Sequence, residues 1–346
     1  MRTCKFTRDQ FESFVKNLIQ SKTVVAPQAK GERFAFGPLT DAGALRLDYD
    51  VTMLPPKKYV LPQTETLLSF EVGGSAQSVM DATDMVLLGV HPYDMIAINQ
   101  MDELFRQGEY DTHYMDRRNK ITMVALDVAT ASQNVFASSM NTATVSEGYD
   151  MLLTVLDDGS VVAEVATEKG EALLQDAGPV ADASDADLAA RKAIWEKNET
   201  ELNKHQLECK PSYLPKLLEH AYKHPVWEDM ARLCYSCGSC NLVCPTCYCF
   251  DVQDEVNWDM KTGTRSRCWD GCLLENFATV TGDHNFRKQR AERMRHRLYR
   301  KGKYVPGKLD GQIACVGCGR CITACTANIA NPVEIYNRLM EETELG

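Results

Sequence analysis

Residues 234–244 read Cys-Tyr-Ser-Cys-Gly-Ser-Cys-Asn-Leu-Val-Cys, with Pro245 next, and residues 315–325 read Cys-Val-Gly-Cys-Gly-Arg-Cys-Ile-Thr-Ala-Cys. Both runs have the spacing C-x2-C-x2-C-x3-C, which is that of a pair of [4Fe-4S] clusters with crossed ligands. A tight C-x2-C-x2-C loop wraps one cubane and supplies three of its corners. The fourth cysteine leaves the loop on a helix and reaches the other cluster. The spacing therefore assigns Cys234, Cys237, Cys240 and Cys325 to a first cluster. It assigns Cys315, Cys318, Cys321 and Cys244 to a second. Structural zinc and disulfides are the competing readings. Zinc takes four ligands, commonly two separated C-x2-C pairs, rather than eight in a crossed pattern.

The rest of the composition agrees with bound metal. The chain has 346 residues and 14 cysteines, too long for a small secreted disulfide scaffold. No signal peptide stands before the first helical pattern, and no apolar run approaches the ~20 residues needed to span a bilayer. A cytoplasmic, thiol-rich protein without a membrane segment is expected. The net charge of −10 argues against nucleic acid as a partner.

The chain divides by composition into two expected domains, an α+β arrangement. Residues 1–200 carry one cysteine, Cys4, and read as an α/β domain. Thr7 to Gln10 form a capping box, and Phe11, Phe14, Val15 and Leu18 follow at helical spacing. Residues 58–61, 67–70, 84–90 and 121–127 are expected strands, 95–105 a helix, and 152–156 with 161–165 a hairpin turning at Asp157 to Ser160. A linker-like stretch rich in Ala and Asp spans 178–187, and a polar helix is expected over 189–206.

Residues 201–346 are expected to be an α-helical ferredoxin-like domain carrying the two clusters. Strand signals fade after Leu214, and residues 214–233 read as helix interrupted at Pro225. The two cysteine runs lie about 70 residues apart, far more than one cluster loop needs, so residues 246–313 are read as an insertion.

Four further thiols, Cys247, Cys249, Cys268 and Cys272, lie in that insertion. They could hold a third iron–sulfur cluster or metal, or remain reduced thiols packed beside the clusters. His284 is an alternative ligand to Cys268. Cys4 and Cys209 read as bystanders. Between Arg287 and Lys303 stand nine Lys or Arg residues and one acid, Glu292. Such a run is usually a solvated helix face. Beside clusters with negative thiolates and sulfides it could instead stabilise the reduced state or dock an acidic partner.

No G-x-G-x-x-G follows a strand, and there is no P-loop, no G-x-S-x-G and no nucleophile–base pair. No catalytic residue is therefore assigned, and the chain reads as a conductor between other sites. The stretch from His224-Pro225-Val226-Trp227 through Cys234 to Asp254 resembles the iron–sulfur subunit of cytosolic NiFe sulfhydrogenases (the β subunit) and of anaerobic sulfite reductase (the A subunit). Trp269-Asp270-Gly271-Cys272, Gly282 to Arg287, Cys315 to Cys321, Pro55-Pro56-Lys57-Lys58 and Gly89 to Asp94 continue the resemblance over most of the chain.

The resemblance implies an electron-transfer subunit of a soluble anaerobic oxidoreductase complex. Its expected partners are an FAD/NAD(P)H-binding subunit and a catalytic subunit of siroheme sulfite reductase or NiFe hydrogenase type. Related subunits also occur beside heterodisulfide-reductase-like flavin complexes. A third alternative is a self-contained enzyme working at Cys247, Cys249 and Cys272. The family pattern has those three cysteines but none at position 268. Some relatives carry extra cysteines where this chain has Tyr93, Val135 and Ala137, and a cluster in the first domain is therefore not expected here.

Overall fold

The computed structural model describes residues 2–343. Its centre is an eight-stranded mixed sheet. Four neighbouring strands, Val24–Lys30, Met85–Val90, Ile121–Leu126 and Met151–Val155, run parallel. Met85–Val90 and Ile121–Leu126 are almost entirely apolar and almost entirely buried, as strands covered on both faces must be. Arg33–Pro38 pairs antiparallel on one side, and Val161–Val165, Arg2–Phe6 and Ala181–Asp182 on the other.

Helix Arg8–Ser21 starts on the expected capping box, with Thr7 Oγ1 accepting from Gln10 N and Gln10 Oε1 accepting from Thr7 N. It buries Phe11, Phe14, Val15 and Leu18 against the sheet. The expected helix over 95–105 is Pro92–Arg106, opened by a proline at its first turn. The expected hairpin is present, and the polar helix is Asp185–Glu201.

Two expectations fail here. Residues 58–61 are not a strand: Pro55 and Pro56 start a single 3-10 turn, Pro56–Tyr59. Two prolines with fixed φ, one lacking a ladder donor at the turn's first position, favour that turn over an extended strand. Strands also continue past Leu214. Phe250–Val256 and Thr262–Trp269 form a hairpin inside the insertion, and Thr262–Trp269 pairs with Thr64–Glu71 of the first half. With Ala76–Ser78 they make a second, four-stranded antiparallel sheet. The first of these strands has both faces exposed, so its sequence lacks the apolar alternation that marks a half-buried strand.

A buried cluster of charges locks the hairpin down. Glu65 accepts from Arg117 Nη2 at 2.7 Å and from Arg267 Nε at 2.5 Å, and Arg267 also pairs with Asp111. The two halves are thus joined by a shared sheet as well as by the chain.

The C-terminal half has its own core, built by Leu214–His220, Val226–Leu233, Arg290–Tyr299 and Pro332–Glu342. Leu217, Trp227, Leu298 and Tyr336 are at its centre. Pro225 does divide the first two helices, as the sequence suggested.

Candidate iron–sulfur centre

The two cysteine runs fold into the same local structure. In each, a glycine in the left-handed region, Gly238 (φ 72°) or Gly319 (φ 75°), opens a one-turn helix, Ser239–Leu242 or Arg320–Thr323. The third cysteine of the run lies in that helix, and the fourth lies just beyond it. The two short helices pack against each other, so each run's last cysteine is carried toward the other run's loop.

One atom-free gap of about 370 Å³ is lined by Cys234, Cys237, Cys240 and Cys325. A second, of about 390 Å³, is lined by Cys315, Cys318, Cys321 and Cys244. Each gap therefore draws three thiols from one run and one from the other. Among the described residues, no three His, Cys, Asp or Glu side chains converge tightly enough for a single metal ion. The thiols stand around the gaps instead, and four soft sulfur donors per gap suit an iron–sulfur cluster.

The two gaps differ in exposure and charge. At the first, Cys237 is exposed and Tyr235 beside it is largely in solvent. Hydrogen bonding to Ser239 draws the Cys237 thiol below its ordinary value. The second gap is deep, and burial pushes the Cys315 thiol up to about 12 and Cys318 higher still. Cys244 goes the other way, lowered first by its hydrogen bond with Cys247 and then by Lys301, whose Nζ is 3.2 Å from its sulfur.

The first half of the chain closes the second gap. Arg320 follows Cys318 in the loop. Its Nη1 and Nη2 bind the Asp94 carboxylate at 2.7 and 2.6 Å, and its Nε donates to Thr52 O at 2.8 Å. Both side chains of this pair are essentially out of solvent (2 % and 0 % exposed). Phe136 N donates to Gly317 O at 2.7 Å, and Thr142 Oγ1 to Val316 O at 2.8 Å. A Cβ at Gly317 would sit 2.4 Å from Phe136 O, so this left-handed position (φ +63°) admits only glycine. Tyr93, Val135 and Ala137 pack as plain apolar contacts around Val316 and Cys318.

A third gap, of about 360 Å³, is lined by Cys247, Cys249 and Cys272. The Asn241 amide points at two of these sulfurs, 3.7 Å from Cys247 and 3.5 Å from Cys272. The other two candidates lie elsewhere. Cys268 is in the hairpin, opposite Asp251 and Thr64, and the exposed His284 lies in the two-residue strand His284–Asn285. Neither lines the gap. Cys4 is buried within strand Arg2–Phe6 of the large sheet, and Cys209 packs at the edge of the helical core.

The basic run is not a solvated face. Arg293, Arg297 and Lys301 stand four residues apart and are buried. Arg297 and Lys301 line both the second and the third gap. Sequence reasoning also passed over Lys57, which reaches in from the 3-10 turn. Its Nζ donates to Cys247 O at 2.5 Å and sits 4.1 Å above the Trp269 ring. Burial lowers the Lys57 pKa to about 8. The i, i+4, i+8 spacing of 293, 297 and 301 is the signal that was available for the helix; for Lys57 the one signal was its place in the Pro55-Pro56-Lys57-Lys58 stretch of the resemblance.

Comparison with known proteins agrees with this geometry. Residues 233–329 match the model of the 4Fe-4S dicluster domain. The match falls on the segment that carries both cysteine runs. It starts one residue before Cys234 and ends four after Cys325, so it takes in both cysteine runs and the whole insertion. Over 342 residues, 99 % of each chain, the protein is 29 % identical to the sulfhydrogenase 2 β subunit of Pyrococcus furiosus. The resemblance read from the sequence is thus borne out along the whole length, including the half that precedes the dicluster domain. No solved structure matches. Among the described residues, no helix is long and apolar enough to cross a membrane.

Proposed function

We propose that the chain is the electron-transfer subunit of a soluble, cytoplasmic oxidoreductase complex, relaying single electrons between a flavin subunit that uses NAD(P)H and a separate catalytic subunit. The observation that carries this reading is the crossed lining of two gaps, three thiols from one run and one from the other. We assign Cys234, Cys237, Cys240 and Cys325 to the first cluster and Cys244, Cys315, Cys318 and Cys321 to the second. The domain that holds them, residues 201–346, is read as α-helical ferredoxin-like, with residues 1–200 as the docking half. A four-iron cluster, when bound, accepts and donates one electron at a time.

The chain's own residues supply the rest. The exposed loop at Tyr235 and Cys237 puts the first site within reach of a partner. Phe136, Val316 and the Arg320–Asp94 pair keep water from the second. Lys301, donating to Cys244 Sγ, favours added negative charge there. The similarity to a β subunit supports an assembly with other subunits, and we place the flavoprotein and the sulfite reductase or hydrogenase partner there by analogy.

The test is iron, acid-labile sulfide and zinc per chain on anaerobically purified protein, followed by EPR after reduction. At least about eight irons, with signals from two interacting clusters, are expected. NAD(P)H should reduce them only when a flavoprotein is added. Zinc in place of iron would end this reading.

A further inference from the structure

The third gap is lined by thiols as the two dicluster gaps are and differs from them in having three rather than four. Asp270 also lines it. The Asp270 Oδ1 accepts the Gly271 N–H at 2.6 Å, which fixes the carboxylate, and Oδ2 has no partner among the described residues.

The charge around this gap is unbalanced in one direction. Lys57, Arg297 and Lys301 are 2, 3 and 8 % exposed, and none of them pairs with a carboxylate among the described residues. Arg297 Nε has no hydrogen-bond partner among the described residues. Arg300, half-buried, lines this gap and neither of the others. Elsewhere in the molecule four buried arginines are matched: Arg320 by Asp94, Arg117 and Arg267 by Glu65 and Asp111, and Arg191 by Glu164; Arg293 is the exception, donating to the Arg287 and Lys288 carbonyls and to Ser236 Oγ instead. An isolated buried charge costs several kcal/mol, so unmatched cations persist where a buried anion offsets them. The second gap shares Arg297 and Lys301 with the third. Arg300 lines the third alone, and Lys57 stands just behind its wall, bonded to the Cys247 carbonyl.

Resting on the dicluster reading above, we infer that this gap is a third iron–sulfur site, held by Cys247, Cys249 and Cys272 with Asp270 as the oxygen ligand at the fourth corner. Lys57 and Arg300 are its counter-charges, and Asn241 hydrogen-bonds its sulfurs. The Cys247 N–H donates to the Cys244 carbonyl at 3.4 Å, so the third site adjoins the second.

The test is made on the full-length chain, purified anaerobically. The wild type should carry about twelve irons, and Cys249→Ser/Cys272→Ser about eight with the EPR of the two dicluster centres unchanged. Asp270→Ala should keep the cooperative unfolding of the wild type, make one cluster lose an iron on mild oxidation and show a three-iron EPR signal, whereas Asp270→Cys should show no such signal. About eight irons in the wild type, unchanged in the double variant, would overturn the third site. So would about eight irons with one zinc that the double variant loses. A spectrum indifferent to Asp270→Ala would remove Asp270 from the ligand set. The dicluster reading fails by a different route: Cys237→Ser and Cys318→Ser would then leave the iron count untouched.

Discussion

Replacing Asp94 with alanine strands the Arg320 guanidinium where no other carboxylate reaches it. Removing one partner of a buried ion pair costs about 3–5 kcal/mol, mostly the desolvation of the charge left behind. Arg320 keeps its two contacts to Thr52, at 2.8 and 3.2 Å, so the loss belongs near the lower end, about 3 kcal/mol. Asp94→Ala/Arg320→Met removes both charges and fills much of the space, and it should recover most of that loss. The cycle then gives a coupling of about 2–3 kcal/mol. Anaerobic guanidinium unfolding, followed by tryptophan fluorescence and by the visible absorbance of the clusters, reads both changes. Because Arg320 sits between Cys318 and Cys321, the absorbance should fall at lower denaturant than the fluorescence in the single variant. A single variant within about 1 kcal/mol of wild type, or a double variant worse than the single, would refute the argument that this pair pins the cluster loop to the first half.

Gly317→Ala meets both a left-handed backbone and the Phe136 carbonyl, so it should lower iron per chain by about one four-iron cluster while Gly307→Ala, in open space, should not. Lys301→Met removes a positive charge and an N–H···S bond from Cys244; the potential of the second cluster should drop by about 60 mV or more, a tenfold change for one electron, in an EPR-monitored redox titration. Glu65→Gln leaves Arg117 and Arg267 short of a counter-charge and should cost about 3 kcal/mol, seen as faster proteolysis within residues 250–269. Burial, helped by Arg287 and Arg300, depresses the His296 pKa from 6.5 to about 4. The folded state then binds fewer protons than the unfolded one, so stability is full above the unfolded value and declines as pH falls from about 6.5 toward 4. His296→Asn should flatten that decline in denaturation curves taken between pH 7 and 5.

The cysteine spacing made the grouping of the eight thiols around two gaps legible, because each thiol's position in a tight loop is set by near neighbours in the chain. Most of the large sheet was legible for a similar reason: residues 84–90 and 121–127 are apolar runs of strand length, and 152–165 carries its own turn. The hairpin at residues 250–269 was not. Its pairing partner, Thr64–Glu71, is remote in sequence, and Phe250–Val256 turns neither face to a core. Lys57 stood in the Pro55-Pro56-Lys57-Lys58 stretch, but its role was not legible because it depends on which strands bring the 3-10 turn beside Cys247. The basic run was half legible. Its spacing placed 293, 297 and 301 on one face, but only the packing shows that this face looks inward at thiols.

The sheet shared by the two halves also sets a timetable for synthesis. About 190 residues separate Glu71 from Thr262, the ends of the two strands that pair. At ribosomal rates of roughly 5–20 residues per second, Thr64–Glu71 waits on the order of 10–40 s with one edge bare. Leu67, Leu68 and Phe70 lie in that strand, and an uncovered apolar edge invites pairing with other chains. A C-terminal fragment starting at residue 201 would face the mirror problem, its hairpin permanently without the strand that completes it. Soluble yield should therefore depend on the whole chain being made in one piece and on how quickly iron and sulfide reach it.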